Sequence, residues 1–180
     1  MIMSYDEAVK QCGTKYKLSL AVAEQSIYKL ECGIYSTNKR ESTLSIIMKK
    51  YPKAVLTGDY AFYYHNLTNL IPDVYDLATP SRSAKLKDSR IRQIYVREDI
   101  FPLGVIEREI DGGRVRIYDK ERMLIELLRG KNSMPYDLYK EILINYRVII
   151  NSLDIRRIQE YASVFPKSKM ISKALDEEVM

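Results

Sequence analysis

The stretch YKLECGIYSTNKR, residues Tyr28–Arg40, carries the most information about the fold of this chain. Apolar and charged residues alternate from Tyr28 to Cys32, with the period of two that is typical of a strand. Gly33 allows a tight backbone, and we expect the strand to continue through Ile34-Tyr35. Turn-forming and basic residues follow, so the pattern predicts a polar, positively charged tip over residues 36–40. Both an ordinary hairpin and the wing of a DNA-binding module fit this stretch.

The flanking residues favour the wing. A helix is predicted from Ser4, which is a good N-cap, to Gln11, and Cys12-Gly13-Thr14 is predicted to end it. A second helix is expected from Lys15 to Ser26. A third follows the wing over residues 41–50, and Pro52 ends it. Two helices, a β-segment and a helix within residues 1–52 predict a winged helix-turn-helix that is shorter than the usual three-helix form.

The pattern of predicted secondary structure changes after Pro52. Residues 53–180 are predicted to form a mixed α/β domain that begins with strands and ends with four helices, so the whole chain is expected to be α+β. The turn Asp111-Gly112-Gly113 indicates a hairpin, because such turns need positive φ angles. The predicted strands are AVLTG (54–58), VYDLATP (74–80), RIRQIYVRE (90–98), GVIEREI (104–110) and RVRIYD (114–119).

The charge is concentrated at one end of the chain. The 180 residues have a net charge of +5 and a pI near 9.0, with 46% hydrophobic and 29% charged residues. Residues 1–53 hold nine Lys/Arg against five Asp/Glu, whereas the remaining residues hold twenty against nineteen. Most of the excess therefore lies in the predicted DNA-binding head, as expected of a partner for nucleic acid.

Eight residues of the head are candidates for contact with double-stranded DNA. In a helix-turn-helix, the start of the second helix enters the major groove and flanking cations hold phosphates. The alternative is that these lysines only form a solvent-exposed helix surface and contact no partner. The candidates are Lys10, Lys15, Tyr16, Lys17, Lys29, Asn38 at the expected wing tip, Lys39 and Arg40.

A second basic stretch lies in the other predicted domain, with Asp88 as the only acid within it. It has two interpretations: a strand edge protected by charge, or an auxiliary surface for nucleic acid or an acidic partner. The residues that would form this surface are Arg82, Lys85, Lys87, Arg90 and Arg92, with Arg97 beyond them.

No catalytic, cofactor-binding or metal-binding residues are predicted. His65 is the only histidine, and no partner in motif spacing orients it, so a structural hydrogen bond is expected. The single aspartates Asp73, Asp76, Asp111 and Asp119 are expected at turns or caps. Cys12 and Cys32 lack disulfide or zinc spacing and are expected to be buried free thiols. Because neither a signal peptide nor an apolar run of membrane-spanning length is present, a cytoplasmic protein is predicted.

Three longer segments resemble the AbiEi family of antitoxins from bacterial abortive-infection systems, which defend against phage. They are KKYPKAVLTGDYAFYYHNLTNLIPDVYDLATP (49–80), RIYDKERMLIELLRGK (116–131) and PYDLYKEILINYR (135–147). The most specific pieces are the run from YP to IPD and the Y-D-x-E-R helix start. The resemblance covers nearly the whole chain and is strongest from residue 28 onward.

The resemblance implies a transcriptional repressor of its own operon. An N-terminal winged helix-turn-helix would bind inverted operator repeats, with two copies on the DNA, and the second domain would antagonise a nucleotidyltransferase-like toxin. Such type IV antitoxins act without a stable toxin complex. The run around His65 would then be a core signature, and Asp119, Glu121 and Arg122 a helix cap with fixed ion pairs. Two other hypotheses stay open: a protein-interaction module without DNA binding, and a metal-dependent nucleotidyltransferase or nuclease.

Overall fold

The computed structural model describes residues 1–179, which form an α+β fold with two compact units. The first unit comprises residues 1–54 together with 107–116, and the second comprises 55–106 and the residues from 117 onward. The predicted α+β class is confirmed, since both units combine helices with strands, and the larger sheet has strands of mixed direction.

Residues 1–179 contain eight strands and eight α-helices. The strands are β1 (Ile2–Ser4), β2 (Tyr28–Glu31), β3 (Ile34–Ser36), β4 (Val55–Thr57), β5 (Tyr75–Pro80), β6 (Ile91–Val96), β7 (Val105–Ile110) and β8 (Gly113–Tyr118). The helices are α1 (Tyr5–Cys12), α2 (Lys15–Ala23), α3 (Thr43–Lys50), α4 (Gly58–Tyr64), α5 (Lys120–Gly130), α6 (Tyr136–Ile149), α7 (Ile155–Val164) and α8 (Ser168–Ala174). Within these residues, no helix has the length and apolar character needed to cross a lipid bilayer.

The first unit is built on a three-stranded antiparallel sheet in the order β1-β3-β2. Strand β1 is only three residues long and was not predicted from the sequence. It pairs with β3 so that Ile2 lies opposite Ser36, and β2 pairs on the other side of β3. The central strand β3 is buried along its whole length.

Helices α1 and α2 begin and turn where the sequence predicted. The Ser4 hydroxyl accepts a hydrogen bond from the Glu7 amide, and the Glu7 carboxylate accepts one from the Ser4 amide, which is a complete capping box. Gly13 ends α1 with φ of +88°. Helix α2 ends at Ala23 rather than the predicted Ser26. The two helices pack on one face of the sheet through a buried cluster, which is Met3, Ala8, Leu18, Ile27 and Tyr35.

The predicted course of the chain after Gly33 is wrong. The strand does not continue; it reverses at Cys32-Gly33, and β2 and β3 form an antiparallel hairpin. Gly33 has φ of +76°, which residues with a Cβ atom rarely adopt, and this allows the two-residue turn. The hairpin tip is therefore Cys32-Gly33, and residues 36–40 lie at the opposite end of the hairpin.

Helix α3 is anchored to the rest of the first unit. Ser42 caps it through the Ser45 amide, and its apolar face of Leu44, Ile47 and Met48 is buried. The ammonium of Lys49 lies 2.5 Å from the carboxylate of Glu7, so an ion pair joins α3 to α1.

The larger sheet is mixed, in the order β6-β5-β4-β8-β7. Strand β4 is antiparallel to β5 and parallel to β8, and β5 is parallel to β6. The β7–β8 hairpin turns where predicted, with positive φ at Asp111 and Gly112. Helices α5 to α8 follow, and Asp119 caps α5 through the amide of Arg122, as expected.

Candidate nucleic-acid interface

The start of α2 presents a short basic segment to solvent. The Thr14 hydroxyl accepts a hydrogen bond from the Lys17 amide and so fixes the first turn of the helix. Lys15, Tyr16 and Lys17 are all exposed, whereas Leu18 is only 3% exposed and anchors the helix in the core. Leu18, together with the partly buried Ala21 and Val22, therefore holds the helix, and its opposite face is open.

Contacts of Lys15 connect the start of α2 with α1 and the three-stranded sheet. The Lys15 ammonium is 6.0 Å from the centre of the Tyr5 ring, and the Tyr5 ring is 6.3 Å from that of Tyr35. Tyr5 follows Ser4, which is paired with Ile34 beside the hairpin turn. The Lys15 ammonium therefore lies on the side of the first unit where the rings of Tyr5 and Tyr35 meet.

The lysines of α2 carry uncompensated charge. The first unit holds twelve Lys/Arg against eight Asp/Glu, a net charge of +4. Lys49 and Lys50 of α3 are in ion pairs with Glu7 and Glu31. By contrast, a set of predicted DNA contacts has no carboxylate within 4.0 Å anywhere in residues 1–179. This set is Lys10, Lys15, Lys17, Lys29, Lys39 and Arg40.

Asn38, Lys39 and Arg40 are exposed but do not form the tip of the hairpin. They follow β3, beside the start of β1, where the Thr37 amide donates to the Met1 carbonyl. Asn38 serves the loop itself: its backbone amide donates to the Ser36 hydroxyl, and its side chain donates to Glu41. The predicted wing-tip position of Asn38 is therefore wrong, because the chain turns earlier, at Gly33.

The remaining head candidates are Lys10 in the last turn of α1 and Lys29 on β2, and both are exposed. All eight predicted contact residues thus lie on the surface. The structure brings Lys15, Tyr16 and Lys17 together on one helical turn, whereas Asn38, Lys39 and Arg40 lie in the loop that follows β3.

The second basic stretch is less positive than its sequence indicates. Arg82, Lys85 and Lys87 are exposed. Arg90, however, forms a two-pronged pair with Asp88, through Nε at 2.9 Å and Nη2 at 2.7 Å. Arg92 is similarly paired with Asp76, at 2.5 and 2.6 Å.

Asp88 is therefore not the only acid that opposes these cations, although the sequence of the stretch indicated so. Asp76 pairs with Arg92, and Asp99 pairs with Arg97. Acids within and beyond the basic stretch together neutralise Arg90, Arg92 and Arg97.

Asp76 explains why Arg92 is held. It lies within β5 rather than at a predicted turn or cap, and it is fully buried. Its carboxylate accepts a hydrogen bond from the Asp59 amide at the start of α4 and the two from Arg92. Gly58 permits this approach, because a Cβ there would lie 2.2 Å from the carboxylate. Burial, and then the charge of Asp76, raise the pKa of the Asp59 carboxyl.

The other residues considered for catalysis or metal binding are His65 and the two cysteines, and none of them belongs to a catalytic or metal-binding cluster among the described residues. His65 is buried, and its Nε2 lies 2.7 Å from the Tyr118 carbonyl oxygen. Cys32 is exposed and Cys12 half-buried, so the expectation of two buried thiols is wrong, although both are free. Within residues 1–179, no three His, Cys, Asp or Glu side chains are grouped as a metal site would need.

Two residues of the α2 surface, Leu20 and Ala23, were not among the residues predicted from the sequence. Leu20 is 41% exposed and follows the 72% exposed Tyr16 by four residues. Ala23 is also exposed and follows Leu20 by three. The i, i+4 and i, i+3 spacings place all three on one helical face, and that signal was present in the sequence.

Comparison with known proteins bears on the fold. No family model matches the chain, and no curated protein matches it. Among solved structures, it is similar to the crystal structure of the RV2827C protein from Mycobacterium tuberculosis, with a TM-score of 0.67 and 12% sequence identity. The alignment covers 98% of this chain and 71% of that chain. At this identity, the similarity shows a shared fold and nothing about activity.

Proposed function

We propose that the first unit is a winged helix-turn-helix that binds double-stranded operator DNA, with α2 as its recognition helix. The observation that carries the proposal is the first turn of α2, where Lys15, Tyr16 and Lys17 are exposed and no carboxylate of residues 1–179 pairs with the lysines. An α-helix fits the major groove, and unneutralised cations at its start are placed to contact phosphates.

The order of elements supports this proposal. A strand, two helices and a hairpin, with the first strand paired to the last, would make β2–β3 the wing and Lys29 a phosphate contact on it. Helix α3 follows the hairpin and packs against β1 and β3, and it would supply the third helix of the head. Lys10 lies in the last turn of α1, next to the turn that leads into α2, another position suited to a phosphate.

The test is binding of the full chain to the DNA immediately upstream of its own gene, measured by fluorescence anisotropy. Exchanging Lys15→Glu together with Lys17→Glu should lower affinity by more than about tenfold, since charge-assisted hydrogen bonds are worth about 1.5–3 kcal/mol each. The matched control is Lys140→Glu with Lys169→Glu, which changes net charge equally on exposed positions of α6 and α8. Equal binding by the α2 variant and this control would refute the recognition helix.

A third double variant, Lys85→Glu with Lys87→Glu, tests the auxiliary surface in the same assay. Because Arg90 and Arg92 are already paired, this surface should contribute less than α2 does. A loss as large as that of the α2 variant would make the second basic stretch a principal DNA contact.

We further propose that the chain is a type IV antitoxin in the cytoplasm, which represses its own operon and antagonises a nucleotidyltransferase-like toxin. The support is the resemblance to the AbiEi family, which covers nearly the whole chain and is strongest from residue 28 onward. Two copies would occupy an inverted repeat, and no stable toxin complex is required. The test is growth of cells expressing the neighbour-encoded toxin, with and without this chain. If growth is not restored, the antitoxin proposal fails while DNA binding is judged separately.

One observation favours the alternative of a protein-interaction module. Helix α6 exposes Tyr136, Ile144 and Val148, which recur at multiples of four residues and so share one face. Exposed apolar faces of this kind are common at protein contacts. Stable co-purification with the neighbour-encoded toxin, abolished by Ile144→Lys with Val148→Lys, would favour this function over antagonism without a complex.

A further inference from the structure

The outward face of α2 is apolar at its centre, which is unusual for a solvent-exposed helix. Tyr16 is 72% exposed and Leu20 is 41% exposed, and exposed Ala23 continues the same line. The helix KYKLSLAVA contains no acidic residue. Lys17 borders this line of apolar side chains, which we call the α2 ridge, and Lys15 lies in the same turn.

A single exposed apolar side chain needs no explanation, but an aligned set beside cations does. A lysine-flanked apolar ridge without acids suits a surface that is negatively charged at its edges and carries apolar groups at its centre. The major groove of B-DNA has this character, because phosphates line its walls and thymine presents its C5-methyl group on its floor.

We propose that the α2 ridge reads thymine methyl groups in the major groove, with Tyr16 and Leu20 as the specificity-determining residues. The inference rests on the proposed function and adds the chemical class of the bases that are read. Lys15 and Lys17 hold the backbone and contribute affinity without base preference. Leu18, which is buried in the core of the first unit, fixes the rotation that turns the ridge outward.

The expected loss of DNA affinity follows from the apolar area that one thymine methyl group buries. Removing a methyl-sized group from a dry contact weakens binding by about fourfold. One or two contacted thymines per half-site therefore predict a loss of about fourfold to fifteenfold when the methyl groups are removed.

The experiment compares two chemically synthesised versions of the upstream duplex. One contains thymine, and the other contains deoxyuridine at every thymine position, which keeps Watson–Crick pairing and removes only the C5-methyl group. The wild-type chain should bind the deoxyuridine duplex more weakly by the factor above, as measured by fluorescence anisotropy.

Three variants separate the ridge from other causes. Tyr16→Ala with Leu20→Ala should bind both duplexes equally, because its methyl contacts are gone. Lys17→Ala should weaken binding to both duplexes and keep their ratio. Tyr16→Phe should keep both affinity and ratio, because the ring rather than the hydroxyl makes the contact. Titrations at lower salt, where phosphate contacts strengthen, keep the weakest variant measurable.

The outcomes are distinguishable. Equal binding of both duplexes by the wild-type chain overturns the inference while leaving the proposed function intact. A methyl preference that persists in the Tyr16→Ala, Leu20→Ala variant also overturns it, because the preference would then come from DNA shape or from another segment. Absence of binding to any duplex overturns the proposed function and this inference with it, and a ridge that contacts protein would give that result.

Discussion

The two basic stretches of this chain have similar numbers of Lys and Arg but differ in how their charges are satisfied. In the first, no acid within residues 1–179 pairs with the six cations, of which two lie on α2; they are Lys10, Lys15, Lys17, Lys29, Lys39 and Arg40. In the second, the arginines of β6 and its flanks reach Asp76, Asp88 and Asp99. The difference shows that a count of Lys and Arg along a sequence gives only the largest number of cations that could bind an anion. The ion pairs formed in the fold decide how many of these cations are available.

A related contrast concerns the energetic role of each cation. Arg122 of the second unit is fully buried between the rings of Tyr118 and Phe165, at 4.6 and 4.1 Å, and it donates to the Ile100 carbonyl and to Glu126. Burial lowers the pKa of this guanidinium. Such an arginine belongs to the core, whereas the α2 lysines contribute little to folding.

The largest effect is expected from Arg122→Ala. The change leaves a cavity between two aromatic rings and removes the hydrogen bonds to the Ile100 carbonyl and to the partly exposed Glu126, which should lower the free energy of unfolding by about 3–5 kcal/mol. Urea denaturation followed by circular dichroism measures it. The control is Arg129→Ala, since Arg129 contacts the same Glu126 and the same Phe165 ring but is partly exposed, and it should cost about 1 kcal/mol or less. Similar losses for both variants would contradict a core role for Arg122.

The next effect is expected from Asp76→Asn. Both carboxylate oxygens of Asp76 accept hydrogen bonds, two from Arg92 and one from the backbone amide of Asp59. An asparagine side chain has one oxygen and one NH₂ group, so its NH₂ would face one of these donors and lose that hydrogen bond. Unfolding free energy should fall by about 1–3 kcal/mol. Asp99→Asn, which alters an exposed arginine pair, should leave the urea midpoint unchanged. If Asp76→Asn also leaves it unchanged, the pairing of Arg92 is only a surface contact.

A smaller change in stability, but a clear one in binding, is expected from Lys15→Ala with Lys17→Ala. Both side chains are exposed and have no carboxylate partner among the described residues, so the free energy of unfolding should stay within about 0.5 kcal/mol of wild type. The slope of log K against log salt should become shallower by about 1.8, which is about 0.9 for each lost phosphate contact. An unchanged slope would mean that neither lysine touches a phosphate.

The smallest effect concerns the ion pair between α1 and α3. The hydrogen bond from Lys49, and then that from the Ser4 amide, lower the pKa of Glu7 to about 2. A carboxylate with a lowered pKa stabilises the fold above its unfolded value near 4.5 and loses that contribution as the pH falls toward 2.

Because Glu7 is largely exposed, the change should be below about 1 kcal/mol. Glu7→Gln should remove this part of the pH dependence in urea titrations between about pH 5 and about pH 2.5, with Glu24→Gln as an exposed control. A steeper acid loss in the Glu7→Gln variant than in wild type would contradict the sign.

Much of the secondary structure could be predicted because it depends on neighbours in sequence. Ser4, Thr14, Ser42, Asp119 and Asp154 all cap helices with side chains that reach the amide three residues further on. The Asp111-Gly112 turn could be predicted for the same reason. The strand β1 was missed because three residues carry no periodicity, and its pairing with β3 is a long-range event.

The candidate site could be predicted in part. Exposure of Lys15, Tyr16 and Lys17 follows from a helix that packs only its Leu18, Ala21 and Val22 side against the core, and the sequence shows that pattern. The membership of Leu20 in the same face needed only the i+4 rule. The predicted position of Asn38 at the tip was wrong because the residue at which a strand reverses depends on the strand with which it pairs. The sequence offers turn-forming residues both at Gly33 and over residues 36–38, and it does not distinguish between them.

The amino-acid sequence by itself determined the α+β class, the helix caps, the glycine turns and the concentration of positive charge in the first fifty-three residues, because these depend on local geometry and on composition. Only the tertiary structure decided that the chain reverses at Cys32-Gly33 and that residues 107–116 cluster with the first unit. It also decided that Asp76 holds Arg92, while no carboxylate in the described part of the chain holds Lys17. Those outcomes depend on which distant residues meet in space, and that is a property of packing rather than of neighbours along the chain.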